Sequence, residues 1–492
     1  MTEHSSVSQV LRFRGGWVVS FVPLLVFLAT CVAYFVVFKA FDMTALAMGA
    51  FLGLLAGALF ARDYKGFWDA ALRGFASPAS MTIVAILFVI GMYSELIKVS
   101  QLSGGFVWLA DALGVGGAAF TVFTFIAVCA VSMSTGSSIG TMFTAFPIFF
   151  AAGLTLGSDP AMLAGAILSG AIFGDNLAPV SDTTIISAST QRFRHKDATA
   201  DIGGVVKSRL RYALAAAGVS VVLFAILGGS PTGATTDILA ENSNPAGLWM
   251  LIPVAVMLAA AIITRDIFKA ITVGLVLGTA TALATGLIGW PDVLNVTEGA
   301  PGGYLVTGIQ GILGTVALVI GVFGIMGVLV EAGVLTKVAS ALIRGRLGNT
   351  PAGAEASIAL GISAFTVLFG GVNSASMITF GPVADEIGAR VGLHPYRRSN
   401  IMDCFAMGLS CIVPFLSAFL FVGATLIGGY DIPEISAGAL FAGTLYPLTL
   451  TLVMIASIIF GWGRRFEAAD STPTKVPTLE PAMEIAEPVA VS

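Results

Sequence analysis

Gly174-Asp175-Asn176-Leu177-Ala178-Pro179-Val180-Ser181-Asp182-Thr183-Thr184 lies inside an otherwise apolar segment that runs from 161 to 189. Carboxylates, hydroxyls and a helix-breaking Pro are expensive at hydrocarbon depth, so they mark the place where an ion or solute is held. A second insert of the same kind, Ser132-Met133-Ser134-Thr135-Gly136-Ser137-Ser138, interrupts the apolar segment before it. Lipid cannot satisfy backbone groups freed by a break, so both inserts predict a protein-enclosed polar cavity.

The rest of the chain fits that setting. Of its 492 residues, 57% are hydrophobic and only 11% charged, and the mean hydropathy is +0.94. That is far more apolar surface than a soluble protein could bury, and it predicts an all-α polytopic membrane protein whose first partner is the lipid bilayer. The formal charge of -4 is small, and Lys and Arg fall in short clusters rather than one basic face, which argues against a nucleic-acid partner. Cys31, Cys129, Cys404 and Cys411 all lie in apolar stretches without metal-ligand spacing and read as buried free thiols. Arg12 and Arg14 precede an apolar run from Trp17 to Phe38 that is long for a signal-peptide core, so it reads as a retained first span. Residues 1–16 are expected to be a cytoplasmic N-terminal segment. Residues 464–492, with Pro473, Pro477, Pro481 and Pro488, are expected to be a disordered cytoplasmic tail. No Walker A loop, H-E-x-x-H or G-x-S-x-G elbow is present, so neither an enzyme nor a cofactor is expected.

Clear spans run over about 17–39, 43–61, 80–98, 208–229, 246–263, 267–290, 305–335 and 436–462, each near the ~20 residues that a helix needs to cross. Half a chain apart the same features return. Pro23 and Phe38-Lys39-Ala40 recur as Pro253 and Phe268-Lys269-Ala270; Gly136, Met142, Thr144, Pro147 and Pro179 recur as Gly371, Met377, Thr379, Pro382 and Pro414. Loop charges alternate between the halves. Arg62, Lys65 and Arg73 lie at 62–79 and Arg192, Arg194, Lys196, Lys207, Arg209 and Arg211 at 190–212, but the counterparts at 291–304 and 427–443 carry no Lys or Arg. Conversely, 99–116 and 151–160 have none, whereas their partners carry Lys337, Arg344 and Arg346, and Arg390, Arg397 and Arg398. Since Lys and Arg favour the cytoplasmic side, equivalent loops face opposite sides.

That pattern predicts two inverted-topology repeats, each of about five transmembrane helices plus one re-entrant hairpin, with broken helices at the site and both termini cytoplasmic. The first repeat is 17–229, with its hairpin at about 117–150, entering from outside with its tip at Ser132 to Gly140, and its broken helix at 161–189. A periplasmic linker follows at 230–245. The second repeat is 246–463, with its hairpin at about 353–386, entering from the cytoplasm with its tip at Gly370 to Ser376, and its broken helix at 402–426 around Ser410 to Ser417.

Asp175 and Asp182 are the foremost candidates. Each is an oxygen ligand suited to Na⁺, and in a poorly hydrated site Na⁺ and H⁺ compete for such a group, which suffices for exchange. Asp182 has a second reading as a helix N-cap, because Ser181-Asp182-Thr183-Thr184 precedes an apolar run. Ser134, Thr135, Ser137 and Ser138 around Gly136 either coordinate through hydroxyls or let helices pack closely. Asn373, Ser374 and Ser376 form the second tip, Ser410 lies at the second break, and Asp403 is either a ligand or an interfacial acid. Glu95 and Glu331 read as solvated end-of-helix acids, and His195 and His394 as surface residues.

The segment from Gly165 through Phe173-Gly174-Asp175-Asn176-Leu177-Ala178-Pro179-Val180-Ser181-Asp182-Thr183-Thr184 resembles the signature of NhaC-type Na⁺/H⁺ antiporters, close to G-x-x-F/Y-G-D-x-x-S/A-P-x-S-D-T-T. The resemblance implies membership of the wider ion-transporter superfamily, with inverted repeats, two re-entrant hairpins, broken helices, homodimers and elevator-like movement. It also implies a bacterial inner-membrane location, and places the strongest site expectation on Asp175, Asn176, Ser181, Asp182 and Thr183. One departure bears on cargo. The family pattern commonly continues with Asn, whereas here Thr184 is followed by Ile185-Ile186-Ser187. The expectation is a secondary active transporter working as a Na⁺/H⁺ antiporter, with a Na⁺- or H⁺-coupled carrier of a small organic ion (carboxylate or amino acid) as the alternative.

Overall fold

In the computed structural model of the chain, the described residues are 11–34, 38, 43–102, 104–105, 108, 116–179, 181–229, 244–264, 266–297, 299–334, 337, 349–369, 371–411, 417–427 and 435–477. Most of the expected 230–245 linker lies outside them. The first half runs α1 (Val22–Val32), α2 (Met43–Phe60), α3 (Tyr64–Phe75), α4 (Pro78–Val99), α5 (Gly117–Thr135), α6 (Ser138–Ala145), a π-helical turn (Phe146–Phe150), α7 (Ala151–Thr155), α8 (Pro160–Leu177), α9 (Asp182–Ser189) and α10 (Ile202–Leu227). The second half runs α11 (Leu251–Thr264), α12 (Ile267–Ala284), α13 (Trp290–Val293), a small antiparallel ribbon of β1 (Asn295–Thr297) and β2 (Ala300–Gly302), α14 (Tyr304–Gln310), α15 (Leu313–Glu331), α16 (Pro351–Leu368), α17 (Asn373–Arg390), α18 (Pro395–Leu409), α19 (Ala418–Ile427), α20 (Ala437–Gly443) and α21 (Leu445–Phe460). Seven helical stretches among the described residues are long and apolar enough to cross a membrane.

Helix starts are written in the sequence as a capping residue followed by Pro. Asp159 accepts from Met162 N (2.9 Å) ahead of Pro160, and Thr350 accepts from Gly353 N (3.1 Å) ahead of Pro351. Pro costs nothing at the first helical position, where its missing N–H would be unpaired anyway. The two helical hairpins, α5–α6 and α16–α17, turn at Gly136 and Gly371, both with positive φ (68° and 82°) that a Cβ would oppose. On each returning arm a Pro falls at the matching place, Pro147 in the π-helical turn and Pro382 inside α17. A π turn or kink is the usual answer to the backbone donor that Pro removes. Two runs expected as single spans are interrupted: 305–335 at Gly311–Ile312, and 436–462 at Thr444.

The helices pack as two groups. In one, α15 lies against α2 and α3, α1 against α2, and α4 against α12 and α14. In the other, α8 is surrounded by α5, α6, α10, α20 and α21, and α18 by α16, α17, α9 and α21. The hairpin bases sit at opposite ends of α10, which is about 39 Å long at 1.5 Å per residue. At its C-terminal end, Thr121 Oγ1 of α5 donates to the Gly228 carbonyl (2.8 Å). At its N-terminal end, the Tyr396 hydroxyl, beside the base of α17, donates to Asp201.

Three expectations require correction. First, residues 464–477 are ordered: β3 (Phe466–Glu467) pairs with β4 (Pro473–Thr474), and the strap is pinned because it buries charge. The Glu467 carboxylate accepts from the N–H groups of Arg194 (2.8 Å) and His195 (3.1 Å), and Arg464 Nη2 meets Glu355 Oε2 at 2.8 Å. Residues 478–492 lie outside the described residues. Second, His394 is buried rather than on the surface: it is edge-on to Phe193 and Tyr396, with Nε2 3.3 Å from the Ser471 carbonyl of the strap. Third, Arg209, Arg397 and Arg398 are not loop charges. All three are buried and paired, with Asp403 (2.8 Å), Glu355 (2.7 Å) and Asp385 (2.7 Å). Glu331 and Glu95 do sit at helix ends, beside Arg73 (3.0 Å) and Lys98 (3.1 Å).

Burial pushes the His394 imidazole down to about 4 from its ordinary 6.5, so it is docked neutral. Between those values the unfolded chain binds a proton that the folded one does not, so stability is lost progressively as pH falls from about 6.5 to about 4. The expected outcome is that protease nicking of the strap accelerates over that interval in wild-type protein and changes less in His394→Asn. Equal pH dependence in both would remove His394 as the cause.

Candidate ion site

The α8 helix stops where Pro179 forces its predecessor out of the helical region: Ala178 is extended (φ −64°, ψ 125°), and Ser181 is extended again before α9 begins at Asp182. The tip of the first hairpin is laid against this break. Gly174 touches the Ser132–Met133 backbone so closely that no Cβ would fit, and Ser132 Oγ donates to the Ala171 carbonyl at 2.5 Å.

Four of the sequence candidates converge there. Asp175, 4% exposed, accepts from Ser138 Oγ at 2.6 Å on one oxygen and from Ser181 Oγ on the other. Ser181 Oγ is in turn 2.8 Å from Thr183 Oγ1. The next carboxylate faces the other way. Asp182 is exposed, accepts from Thr183 N (2.9 Å) and from the Ser374 hydroxyl of the second hairpin, and lines a cavity of about 690 Å³. Ser181 occupies the N-cap position without a side-chain cap hydrogen bond, and Asp182 Oδ1 is the acceptor for a first-turn N–H of α9 while Oδ2 meets Ser374. The cavity lies between α3, α4 and α15 on one side and both hairpin tips on the other, and Ser137, Ser374 and the Arg73–Glu331 pair are among its walls.

Asn176 and Asp403 belong to a second network directly behind the break. Asn176 Nδ2 donates to Asp403 Oδ1 (2.7 Å), and the Tyr446 hydroxyl donates to Asn176 Oδ1 (3.1 Å). Asp403 Oδ2 accepts from Ser187 Oγ (3.0 Å) and faces Arg209 Nη1 (2.8 Å), with both charged side chains fully buried. Arg209 also donates to the Asn176 carbonyl (2.6 Å), Thr184 Oγ1 (3.1 Å) and Ser187 Oγ (3.0 Å). Asp403 is therefore a buried counter-charge, not an interfacial acid, and Arg209 is the residue that the sequence reading missed. Its signal was positional, since Arg209 falls inside the apolar run beginning at 208.

The remaining candidates spend their polar atoms locally. Thr135 Oγ1 is 3.0 Å from Thr141 Oγ1, and Ser137 caps α6 through Gly140 N (3.1 Å). Ser376 Oγ donates to the Val372 carbonyl (2.9 Å) and Ser410 Oγ to that of Met407 (2.7 Å). The Asn373 amide, turned so that its NH₂ faces carbonyls, donates to Ala406 (3.0 Å) and Gly371 (3.3 Å). The side chain of Ser134 lies outside the described residues. Gly136 serves the turn itself.

The pattern of the Na⁺/H⁺ antiporter family matches residues 5–229 and 231–462, nearly the whole chain. The chain belongs to that family. It is similar to the malate-2H⁺/Na⁺-lactate antiporter of Bacillus subtilis (26% identical over 451 residues, 82% of this chain and 92% of the relative). It is also similar to the Na⁺/H⁺ antiporter NhaC of Alkalihalophilus pseudofirmus (29% over 186 residues, 37% and 38%). Among solved structures, the YdaH transporter of Alcanivorax borkumensis overlaps 86% of this chain and 99% of its own, at 15% identity and a TM-score of 0.39. This Na⁺/H⁺ antiporter family member is thus a multi-pass membrane protein and a secondary active transporter.

Removing either partner of the Arg209–Asp403 pair leaves the other as an uncompensated buried charge, which costs about 3–5 kcal/mol. Arg209→Met and Asp403→Leu should each lower the unfolding free energy of detergent-solubilised protein by about that much, whereas the double variant Arg209→Met/Asp403→Leu loses clearly less than the sum. Additive losses in the double variant would show that the two charges do not act as a pair.

Proposed function

We propose that this antiporter-family member exchanges Na⁺ for H⁺ at the α8–α9 break, with Asp175 and Asp182 as the carboxylates for which the two ions compete. The observation that carries this reading is the division of labour between adjacent acids: Asp175 is buried among hydroxyls, whereas Asp182 faces the large cavity and meets the Ser374 hydroxyl of the opposite hairpin. Asp182 receives the cation from solvent, and Asp175, with Ser138, Ser181 and Thr183, supplies inner oxygens of the kind that hard cations prefer. Protonation of the carboxylates releases the cation. Na⁺ and H⁺ are cargo in this scheme, and no cofactor takes part.

Hairpin bases at opposite ends of α10 support the inverted repeats with boundaries at 17–229 and 246–463, joined by 230–245. The packing of α5–α10 and α16–α21 as one group against α1–α4 and α11–α15 supports an elevator-like movement of the first group along the second. The basic residues around Arg73 and Arg192 support cytoplasmic termini, and the bacterial sources of the relatives support a bacterial plasma membrane.

A second reading has its own support. A cavity of about 690 Å³ is far larger than a bare cation needs and falls in the range of small-molecule sites, and the Bacillus subtilis relative is named for organic ions. In that reading Asp175 and Asp182 hold the coupling cation while the cavity holds a small organic ion.

Asp175→Asn and Asp182→Asn are each expected to abolish ΔpH-driven Na⁺ exchange in proteoliposomes while leaving assembly intact. Wild-type rates in both variants would remove these acids from the site. Uptake of a labelled organic ion that depends on both carboxylates, with no exchange in its absence, would select the second reading.

A further inference from the structure

We infer that the cytoplasmic end of the α10–α21 pair carries a binding site for the phosphate of an anionic lipid headgroup. A cavity of about 810 Å³ lies there, separate from the ion site, and four basic side chains line it: Arg211, Arg464, Arg465 and Lys475. Thr350 and Trp462 complete its character. No acid lines it among the described residues. Arg464 is the only one of the four in a described ion pair, and its partner Glu355 is fully buried behind it. Arg465 and Arg211 donate to carbonyls of their own neighbourhood, to Arg464 (2.9 Å) and Ser208 (2.9 Å), contacts that leave the guanidinium charges uncompensated.

A chain that is mildly acidic overall thus concentrates four cations around one concave space, which is the recognition chemistry of a phosphate. Position distinguishes the source. The cavity adjoins the outward faces of the two helices that frame it, where Leu210 and Leu214 on α10 and Leu452, Ile455, Ile459 and Phe460 on α21 are all exposed, at the helical spacing of a lipid-facing stripe. Trp462, 44% exposed at the end of α21, sits where an indole marks the membrane–water boundary. Acyl chains laid on the apolar stripes bring a headgroup phosphate level with the basic cavity, and a soluble anion would gain nothing from those stripes. The strap contributes three of the four cations, so an occupied site holds the strap to α16 and α10.

The test is native mass spectrometry of the full-length protein, delipidated and then titrated with phosphatidylglycerol or phosphatidylcholine, with inorganic phosphate as the soluble competitor. Each basic group near a membrane surface is worth about fivefold in anionic lipid affinity, so Arg465→Gln/Lys475→Gln should weaken phosphatidylglycerol retention by about 30-fold. Arg465→Lys should retain it. Circular dichroism checks that the double variant, which alters two groups outside any described ion pair, remains folded. Equal retention of phosphatidylglycerol and phosphatidylcholine, or of phosphatidylglycerol by wild type and double variant, would overturn the site. Full displacement of the lipid by millimolar phosphate would overturn the lipid assignment.

Discussion

A helix that ends at Leu177 deep in a lipid-facing bundle exposes carbonyls that no water reaches, and Arg209 is what makes that ending tolerable. Its guanidinium donates to the carbonyl of Asn176 and is neutralised by Asp403. The same carboxylate holds the Asn176 side chain and Ser187 of α9. Both sides of the break are thus tied to one buried ion pair. Breaking such a pair is far costlier than never having built it, so the unwound segment between Ala178 and Ser181 is held open by a fixed framework. Asp175 and Asp182 project from that framework in different directions, one among buried hydroxyls and the other into the cavity.

The two helical hairpins turn alike, at Gly136 and Gly371, and differ where charge is concerned. At the spacing that relates Gly136 to Gly371, Asp175 corresponds to Ser410 and Asp182 to Ser417. Each hairpin tip also rests on a helix end: Gly174 of α8 packs on the first tip, and Gly371 of the second tip on the Ser410 carbonyl that follows α18. Among the described residues, only the first of these two cradles carries carboxylates. The second cradle instead presents Asn373 and Ser374, and Ser374 reaches across to Asp182.

This asymmetry explains what the sequence could reveal. The hairpin turns and the break after α8 were legible because Gly136, Gly371, Pro147, Pro382 and the Ser and Asp inserts violate apolar patterning, and a violation at hydrocarbon depth has few explanations. Arg209, Arg397 and Arg398 were misjudged for the opposite reason. A basic residue near the end of an apolar run looks like a loop charge, and its partners, Asp403, Glu355 and Asp385, belong to other helices. Charge counting assumes solvent where the fold supplies a counter-ion. The strap at 464–477 misled similarly, because Pro and acidic composition says nothing about Glu467 finding the N–H groups of Arg194 and His195.

The reach of Ser374 to Asp182 carries the last step. Asp182 is the one carboxylate of the break that faces the cavity, and its described side-chain partner comes from the other half of the chain. In the proposed exchange, a cation entering from the cavity competes with that hydroxyl for the same oxygen, so its arrival changes a contact between α9 and α17, not merely the charge of α9. Asp175 is bound to the first hairpin through Ser138 in the same way. In that scheme the occupancy of the two acids is read by both hairpin tips at once. Residues of both tips line the cavity, so in that scheme a site that is filled or protonated and a site that is bare cannot present the same surface to the helices across from it. That difference is the free energy by which an exchanger distinguishes a loaded from an unloaded passage.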